Sequence, residues 1–313
     1  MFPFERILVT GASGFIGRNV CRAFAERGIG YIALARATSN IAPLEAIGAT
    51  IRRADLCDAG AVRRALADCA AVVHLAAAAD VTDPALNRRV NVDGVRTLIG
   101  ACEAVGLRRV LFFSTNCAVR ELRDAYGITK LEGERLFAAA DLDVTVFRPT
   151  MIYGAESREW RTFVNAVRRC PLVPIVGHGR HTVRPVALPD VLDAVVAALA
   201  RSVAIGRTYD IAGPTSISFD DLALLVARIL GLRRRTVHVP LGLCELGARM
   251  TGKVMKHPPV TVDQVLAFAQ DTRADIGPAR RDLGFTPRDI EAGLADLLPR
   301  MVPRSSGVGC PDK

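Results

Sequence analysis

The chain has 313 residues, of which half are apolar, 23% are charged and 5% are aromatic; this is the composition of an ordinary globular protein and excludes a disordered chain. The net charge of +9 comes mostly from arginines dispersed among acidic neighbours, so we expect no nucleic-acid partner. The apolar stretches are shorter than the roughly 18 to 20 residues of a spanning helix and the N-terminus lacks a signal-peptide pattern, so we expect a cytoplasmic protein with no membrane span.

The first half of the chain alternates short apolar runs, typical of strands, with longer helical patterns. Strands separated by helices of this length pair in parallel through right-handed crossovers, which predicts a doubly wound α/β sheet. The predicted strands are Arg6 to Thr10, Tyr31 to Ala35, Ala71 to Ala76, Val110 to Ser114 and Val144 to Arg148, and the predicted helices are Ile16 to Arg27, Ala61 to Ala67, Val90 to Val105 and Tyr126 to Ala140.

The second half of the chain is less regular. Proline and glycine cluster at Pro171 to Gly179, and helical patterns over Phe219 to Leu230 and Val260 to Gln270 lie outside the alternating scheme. We therefore expect a smaller, partly interleaved C-terminal domain. The predicted division assigns residues 1–150 and about 186–212 to the first domain, about 151–185 and 213–302 to the second, and 303–313 to a disordered tail.

A glycine-rich loop joins the first predicted strand to the first helix. Gly11, Gly14 and Gly17 follow Thr10 at a spacing of three. The first glycine permits a tight turn, the second lets a pyrophosphate approach the backbone, and the third lets helix and strand pack closely, while the helix N-terminus favours an anion. The loop therefore predicts a dinucleotide site and a Rossmann-type first domain.

The second predicted strand ends at Ala35-Arg36, where enzymes that prefer NAD usually carry an acidic residue for the ribose 2′-hydroxyl. An arginine at this position can neutralise a 2′-phosphate instead, which favours NADP as the NAD(P) cofactor. Alternatively, Arg36 is a solvated loop residue that stacks on adenine. Asp55 and Leu56 follow the next apolar stretch and are candidates for contact with the adenine ring.

Tyr126 and Lys130 lie four residues apart in a predicted helix and so share one of its faces. A phenol needs a shift of about three pKa units, or about 4 kcal/mol, to act as a base at neutral pH. A cation about 4 Å away contributes a similar amount at an effective dielectric constant of about 20. The pair therefore predicts a general acid/base at neutral pH.

Eight motifs follow one another along the chain. They are Thr10 to Gly17, Asp55 to Asp58, His74 to Ala77, Asn91 to Gly94, Phe113 to Thr115, Tyr126 to Glu132, Phe147 to Gly154 and Arg281 to Pro287. With these motifs the chain resembles the extended short-chain dehydrogenase/reductase family, the nucleoside-diphosphate-sugar epimerases and dehydratases. The resemblance implies that Tyr126 is the acid/base, that Lys130 lowers its pKa and holds the nicotinamide ribose, and that Asn91 fixes hydrogen bonds of the site. It also implies a homodimer through the helices around Leu98 and Phe137.

The chain departs from this family in the segment after the fourth predicted strand. The substrate-oxygen ligand aligns as Thr115 in one register and as Asn116 in the other; Thr115 is favoured because a hydroxyl both donates and accepts. The acidic pair of the sugar 4,6-dehydratases is replaced by Asn116 and Cys117, so dehydration is the less expected reaction. Cys117 is either a second acid/base or a small buried thiol.

The resemblance also supplies candidate ligand-binding residues. Arg180 and Arg184 are candidate clamps for a substrate diphosphate, and His178 lies on a loop near the expected substrate. No cysteine or histidine has a metal-ligand spacing, so no metal is expected. The predicted cofactor-binding residues are Gly11, Ser13, Gly14, Phe15, Ile16, Gly17, Arg36, Asp55, Leu56, Leu75, Ala76, Ala77 and Lys130, and the predicted substrate-binding residues are Asn116, Cys117, His178, Arg180 and Arg184.

The sequence thus predicts an NAD(P)-dependent epimerase or ketoreductase that moves a hydride at a carbinol or keto carbon of a nucleotide sugar. NADP preference would favour the reductase. Two alternatives remain open. One is a non-catalytic NAD(P)-binding sensor or assembly subunit with the same fold, and the other is a dehydrogenase for hydrophobic alcohols or steroids, with the apolar stretch Val239 to Met250 near a membrane surface.

Overall fold

The computed structural model describes residues 2–79, 83–254 and 270–301. Short, buried apolar runs form its strands, and the longer segments between them form amphipathic helices. The strands are β1 Ile7–Thr10, β2 Tyr31–Ala35, β3 Ile51–Arg53, β4 Ala71–His74, β5 Arg109–Phe113, β6 Asp143–Pro149, β7 Ile152–Tyr153, β8 Leu172–Val176, β9 Thr182–Val183, β10 Val186–Ala187, β11 Thr208–Ile211, β12 Ile217–Ser218 and β13 Arg235–Val239. The helices are α1 Phe15–Glu26, α2 Ala42–Glu45, α3 Ala59–Leu66, α4 Pro84–Arg88, α5 Gly94–Val105, α6 Ala125–Ala139, α7 Arg158–Arg169, α8 Leu188–Ala200, α9 Phe219–Ile229, α10 Leu241–Val254, α11 Gly277–Leu283 and α12 Ile290–Met301.

Seven strands form one parallel sheet in the order β11-β6-β5-β4-β1-β2-β3. Ile7 of β1 lies beside Tyr31 on one side and beside Ala71 on the other. The strand order reverses at β1, and ligands bind such sheets in the crevice at the carboxyl ends of the strands beside this reversal. The predicted doubly wound, Rossmann-type sheet is confirmed.

Helices cover both faces of this sheet. One core packs α1, α8 and α11 against it, and the other packs α3, α5 and α6. Leu98 and Phe137, around which we expect a dimer interface, are fully buried in the second core. The predicted homodimer, which stays a prediction, would have to use other residues of α5 and α6.

A third core lies apart from the sheet and joins α7, α9 and α12 to three short two-stranded sheets. Ile276 and Phe285 pack in the first core, against the central sheet, although both residues fall within the predicted second domain. The division into two domains stays a prediction. The expected helix Val260 to Gln270 lies almost wholly outside the described residues, as does the expected tail 303–313.

The predicted helix Val90 to Val105 begins earlier and is not uniform. It starts as α4, passes through a π-helical turn at Arg89–Asp93 and continues as α5. Such turns are rare and occur often at functional sites. Here the turn carries Asn91, whose side chain is buried.

Candidate active site

The glycine loop forms the floor of a cleft beside β1. Gly11 has φ +67°, and a Cβ there would lie 2.6 Å from the backbone nitrogen of Ala76. A Cβ on Gly17 would overlap the carbonyl oxygen of Gly11, so only glycine allows α1 to approach the loop this closely. Within the described ranges, no side chain caps the N-terminus of α1 at Gly14, so the first backbone N–H groups of this helix are available to an anionic ligand.

The cleft above this floor has a volume of about 430 Å³. Its shape and lining fit a dinucleotide, because backbone and small side chains surround the helix N-terminus. Phe15 and Ile16 instead line the neighbouring cavity, which Leu75 shares, and Gly17 serves the helix–strand approach. The predicted cofactor residues that line the cleft are Gly11, Ser13, Gly14, Arg36, Asp55, Leu56, Leu75, Ala76 and Ala77.

Basic side chains border the end of the cleft beyond β2. Arg36 lines it, and a guanidinium nitrogen of Arg53 donates a hydrogen bond of 2.6 Å to the backbone carbonyl of Arg36. Arg89, from the π-helical turn, lines the cleft as well. Sequence reasoning missed Arg89 because an arginine before a helical pattern resembles any solvated helix residue.

A neutral histidine joins the carboxyl ends of β1 and β4 below the cleft. Nδ1 of His74 lies 2.7 Å from the hydroxyl of Thr10, which accepts a hydrogen bond of 3.2 Å from the backbone N–H of Ala76. Burial lowers the pKa of His74 to about 3, and the nearby charge of Lys130 lowers it further. His74 is therefore uncharged at neutral pH and fixes the turn after β4.

The predicted catalytic pair lies at the start of α6. Asp124 caps this helix by accepting a hydrogen bond of 2.6 Å from the N–H of Gly127, which orients its first turn. Tyr126 lines the cavity next to the cleft, while Lys130 is buried with its ammonium 4.1 Å from the centre of the Phe112 ring.

The electrostatics of this pair differ from the sequence-based expectation. Burial raises the pKa of Tyr126 above its ordinary value, and Cys117 and Asp124 raise it further. Burial lowers the pKa of Lys130 to about 7, against the opposing effect of Glu134. The expected lowering of the tyrosine pKa is therefore absent here, because desolvation is the largest effect on the phenol and its charged neighbours act in the same direction. Tyr126 is a protonated phenol at neutral pH.

Asn91 links the turn after β4 to α6. Its side-chain oxygen accepts a hydrogen bond of 2.9 Å from the N–H of Ala78, and its amide nitrogen donates to the carbonyl of Ala78 and to the hydroxyl of Thr129. Thr129 lies between Tyr126 and Lys130 in the helix. Asn91 thus positions the helix that carries the candidate acid/base.

The segment after β5 supplies Thr115, Asn116 and Cys117, all of which line the same cavity as Tyr126. Asn116 donates a hydrogen bond of 2.8 Å from its amide to the carbonyl of Arg273. Thr115 accepts one of 3.2 Å from the N–H of Cys117, so its own hydroxyl hydrogen is left for another acceptor.

Ser114 precedes these residues and also lines the cavity, but its hydroxyl donates to buried Glu134. Arg148 donates to the same carboxylate, with its Nε 3.0 Å from a glutamate oxygen. This buried network holds β5, β6 and α6 together directly behind the cavity.

The cavity that receives Tyr126 has a volume of about 500 Å³ and walls that are mostly apolar. Arg120 and Glu159 supply opposite charges to the wall, which Ser157 and Thr272 also line. Sequence reasoning missed this wall, since its aromatic and aliphatic residues follow the same helical spacing as core residues. The apolar residues that line it are Phe15, Ile16, Leu75, Phe113, Pro149, Met151, Ile152, Trp160, Phe163, Val183, Phe219 and Leu222.

The predicted diphosphate-binding residues lie elsewhere in the described part of the chain. The guanidinium of Arg184 donates to the backbone carbonyls of Gly213, Pro214 and Ala274, so its fork is occupied within the protein. His178 accepts a hydrogen bond of 3.1 Å from the backbone N–H of Arg180. Neither of these two residues, nor Arg184, is among the described residues that line the cleft or the cavity.

Two further properties of the described residues bear on the expected chemistry. No group of three or more histidine, cysteine, aspartate or glutamate side chains among them is arranged to hold a metal ion. Within the same residues, every helix is too short or too polar to cross a bilayer.

The model of the NAD dependent epimerase/dehydratase family matches residues 7–212. The chain therefore belongs to this family, and its resemblance to the extended short-chain dehydrogenases/reductases is confirmed. Members of the family are NAD-dependent oxidoreductases and epimerases.

Curated relatives and solved structures add detail to this assignment. The chain is 27% identical to the 2-alkyl-3-oxoalkanoate reductase of Stenotrophomonas maltophilia (strain K279a), over 93% of this chain and 98% of that protein. It is 24% identical to the photosystem II assembly factor Ycf39 of Synechocystis sp., over 95% and 92%. The structure of the UDP-glucuronic acid 4-epimerase of Bacillus cereus, in complex with UDP-glucuronic acid and NAD, matches with a TM-score of 0.73 at 22% identity, over 95% and 100%, and supports the fold.

Proposed function

We propose that this protein is an NAD(P)H-dependent ketoreductase for a substrate with an apolar body, acting reversibly on a ketone and its secondary alcohol. The observation that carries the proposal is the mostly apolar cavity against which Tyr126 and Thr115 lie. Such a wall stabilises a hydrocarbon body by about 25 cal/mol for each Å² removed from water, and its mostly apolar surface offers the hydroxyls of a sugar fewer hydrogen-bond partners than a polar wall would. The similarity to a 2-alkyl-3-oxoalkanoate reductase supports the same conclusion.

The protonation state of Tyr126 favours reduction. Its raised pKa keeps the phenol protonated at neutral pH, so that it can donate a proton to a ketone oxygen. The free hydroxyl hydrogen of Thr115 supplies a second donor to this oxygen. When bound, the reduced cofactor supplies a hydride to the carbonyl carbon. Tyr126 becomes a phenolate as the alcohol forms, and Lys130, one helical turn further on, stabilises that charge.

Different residues of the cleft would bind different groups of the cofactor. The glycine loop and the N-terminus of α1 would bind the pyrophosphate, and Asp55 and Leu56 would border the adenine. The resemblance assigns the nicotinamide ribose to Lys130, but this residue is buried against Phe112 and is not among the described residues that line the cleft or the cavity. We infer a preference for NADP from the lining of the cleft by Arg36 and Arg89, whose charges complement a 2′-phosphate.

The nucleotide-sugar substrate expected from the sequence remains a prediction. It requires a diphosphate site, and among the described residues Arg120 is the one arginine in the cavity wall, since Arg184 is bound to backbone carbonyls. The similarity to the assembly factor Ycf39 suggests a non-catalytic role as an alternative, which predicts no turnover of either ketones or nucleotide sugars. Activity assays therefore distinguish the three functions: reduction of an apolar ketone, epimerisation of a nucleotide sugar, or no turnover.

The test is Tyr126→Phe, assayed for NADPH oxidation with long-chain 3-oxo acids and ketosteroids and for epimerisation of UDP-sugars. We expect wild-type turnover of apolar ketones and a loss of at least about 100-fold in kcat for the variant, with cofactor affinity unchanged. Tyr153→Phe is the matched control, because the Tyr153 hydroxyl is buried outside the cavity without a hydrogen-bond partner among the described residues. Wild-type epimerisation of a UDP-sugar without ketone reduction would contradict the proposal.

A further inference from the structure

Five large apolar side chains are exposed on the successive elements β8, β13 and α10. Leu172 and Val237 are 57% and 42% exposed, and Leu243, Leu246 and Met250 are 61%, 56% and 63% exposed. We call these five residues the apolar strip. Side chains of this size are usually exposed singly, so a run of them marks an interaction surface.

The strip follows from the local structure. β8 and β13 pair in parallel with Leu172 beside Arg235 and Pro174 beside Val237, so these four residues share one face. The opposite face carries Val173 and Ile175, which are buried in the third core.

The other three residues of the strip lie on the helix that follows β13 in the chain. α10 starts one residue after Pro240, which itself directly follows β13. Its exposed residues Leu243, Leu246 and Met250 are spaced three and four apart, which places them on one helical face.

Arginines surround the start of this strip. Arg168 and Arg169 end α7, while Arg233 and Arg235 lie at the start of β13, and all four are exposed. We call these four residues the arginine rim. Arg234, between the last two, donates from its guanidinium to the carbonyls at the end of α7 and so fixes the two halves of the rim beside each other. None of the four forms an ion pair with a described carboxylate.

We propose that the apolar strip and the arginine rim dock this protein peripherally onto an anionic lipid surface. Exposed leucines and a methionine enter the boundary between headgroups and acyl chains, and the arginines bind the headgroup phosphates. Four exposed arginines complement anionic headgroups, whereas a second copy of this chain carries the same net positive charge, so the charge pattern favours an anionic lipid surface as the occupant. The proposal does not depend on the proposed function.

The experiment is co-sedimentation of the full chain with vesicles, one set of phosphatidylcholine alone and one with about a third of phosphatidylglycerol. We expect binding to the anionic vesicles, weakened by high salt because exposed charges are screened, and little binding to phosphatidylcholine. Leu243→Glu/Leu246→Glu should lower the vesicle affinity by about tenfold or more, since it removes apolar insertion and adds repulsion. Arg233→Glu/Arg235→Glu should have a similar effect that is smaller at high salt.

Matched controls carry the same changes elsewhere. Val203→Glu/Ile205→Glu alters two exposed apolar residues beside the central sheet, and Arg63→Glu/Arg64→Glu alters two exposed arginines of α3. Both should bind vesicles as the wild type does. The proposal is overturned if the wild type stays in the supernatant with anionic vesicles, or if the strip and control variants bind equally. It is also overturned if light scattering shows that Leu243→Glu/Leu246→Glu separates a dimer while vesicle binding is unchanged.

Discussion

The cleft proposed for the cofactor and the cavity proposed for the substrate meet at Leu75, yet they are built by different means. Backbone groups and glycines form the cleft, where positions such as Gly11 and Gly17 accept no other residue without a clash. Side chains from several distant elements, including Phe163 of α7 and Phe219 of α9, form the cavity. A site built from backbone and glycines can therefore be detected in the sequence from a short motif. A site walled by side chains of distant elements is formed only in the folded protein and leaves no such motif.

The largest effect should come from the cleft, because its geometry tolerates no extra atom. In Gly17→Ala the new Cβ would also lie 2.8 Å from the Cα of Ala12, so we expect the free energy of unfolding to fall by about 3 kcal/mol or more. Urea denaturation measures the change. Gly100→Ala is the control; it lies in α5 with open space around it and should gain about 0.5 to 1 kcal/mol. Equal stability of the two variants would contradict the claim that the glycine loop below the cleft accepts no side chain at Gly17.

A change in the cavity should act on the substrate and spare the cofactor. Phe163→Ser removes an aromatic wall residue that packs on Trp160 at 5.4 Å between ring centres. Loss of roughly 1.5 to 3 kcal/mol of apolar contact corresponds to a fall of about 10- to 100-fold in kcat/KM for an apolar ketone. Leu224→Ser, an exposed change on α9, is the control. An equal loss of NADPH affinity in Phe163→Ser would show that the two sites are not separate.

The smallest effect concerns the adenosine end of the cleft. Arg36→Glu should weaken NADPH binding about tenfold, through loss of a charge-assisted contact of about 1.4 kcal/mol, and leave NADH binding the same or tighter. Isothermal titration with both cofactors measures this, with Arg63→Glu as the control for charge. If NADPH affinity does not change, Arg36 only lines the cleft and the preference for NADP is wrong.

The sequence predicts the features that depend on local rules. The alternation of strands and helices, the glycine loop and the four-residue spacing of Tyr126 and Lys130 are all periodic patterns, and the sheet and the cleft follow from them. β3 went unrecognised, because only three residues, two of them arginines, form it. The π-helical turn at Arg89–Asp93 has no sequence signal in the periodicity either.

The properties that could not be predicted arise from burial. Burial raises the pKa of Tyr126, and the charges of Cys117 and Asp124 raise it further, which the spacing of Tyr126 and Lys130 alone does not report. Arg184 is a diphosphate clamp in the sequence-based expectation, but the fold places backbone carbonyls within its reach. In both cases a group has the right chemistry, and tertiary contacts decide how it is used.

The most direct test of the central claim is deuterium transfer at the Tyr126 site. Wild-type protein is incubated with cofactor deuterated at C4 of the nicotinamide and with an apolar ketone, and the alcohol is analysed by mass spectrometry. The account predicts one deuterium on the carbinol carbon with the wild type and with Tyr153→Phe, and none above background with Tyr126→Phe. An undeuterated alcohol from the wild type, or equal labelling by Tyr126→Phe, would contradict it.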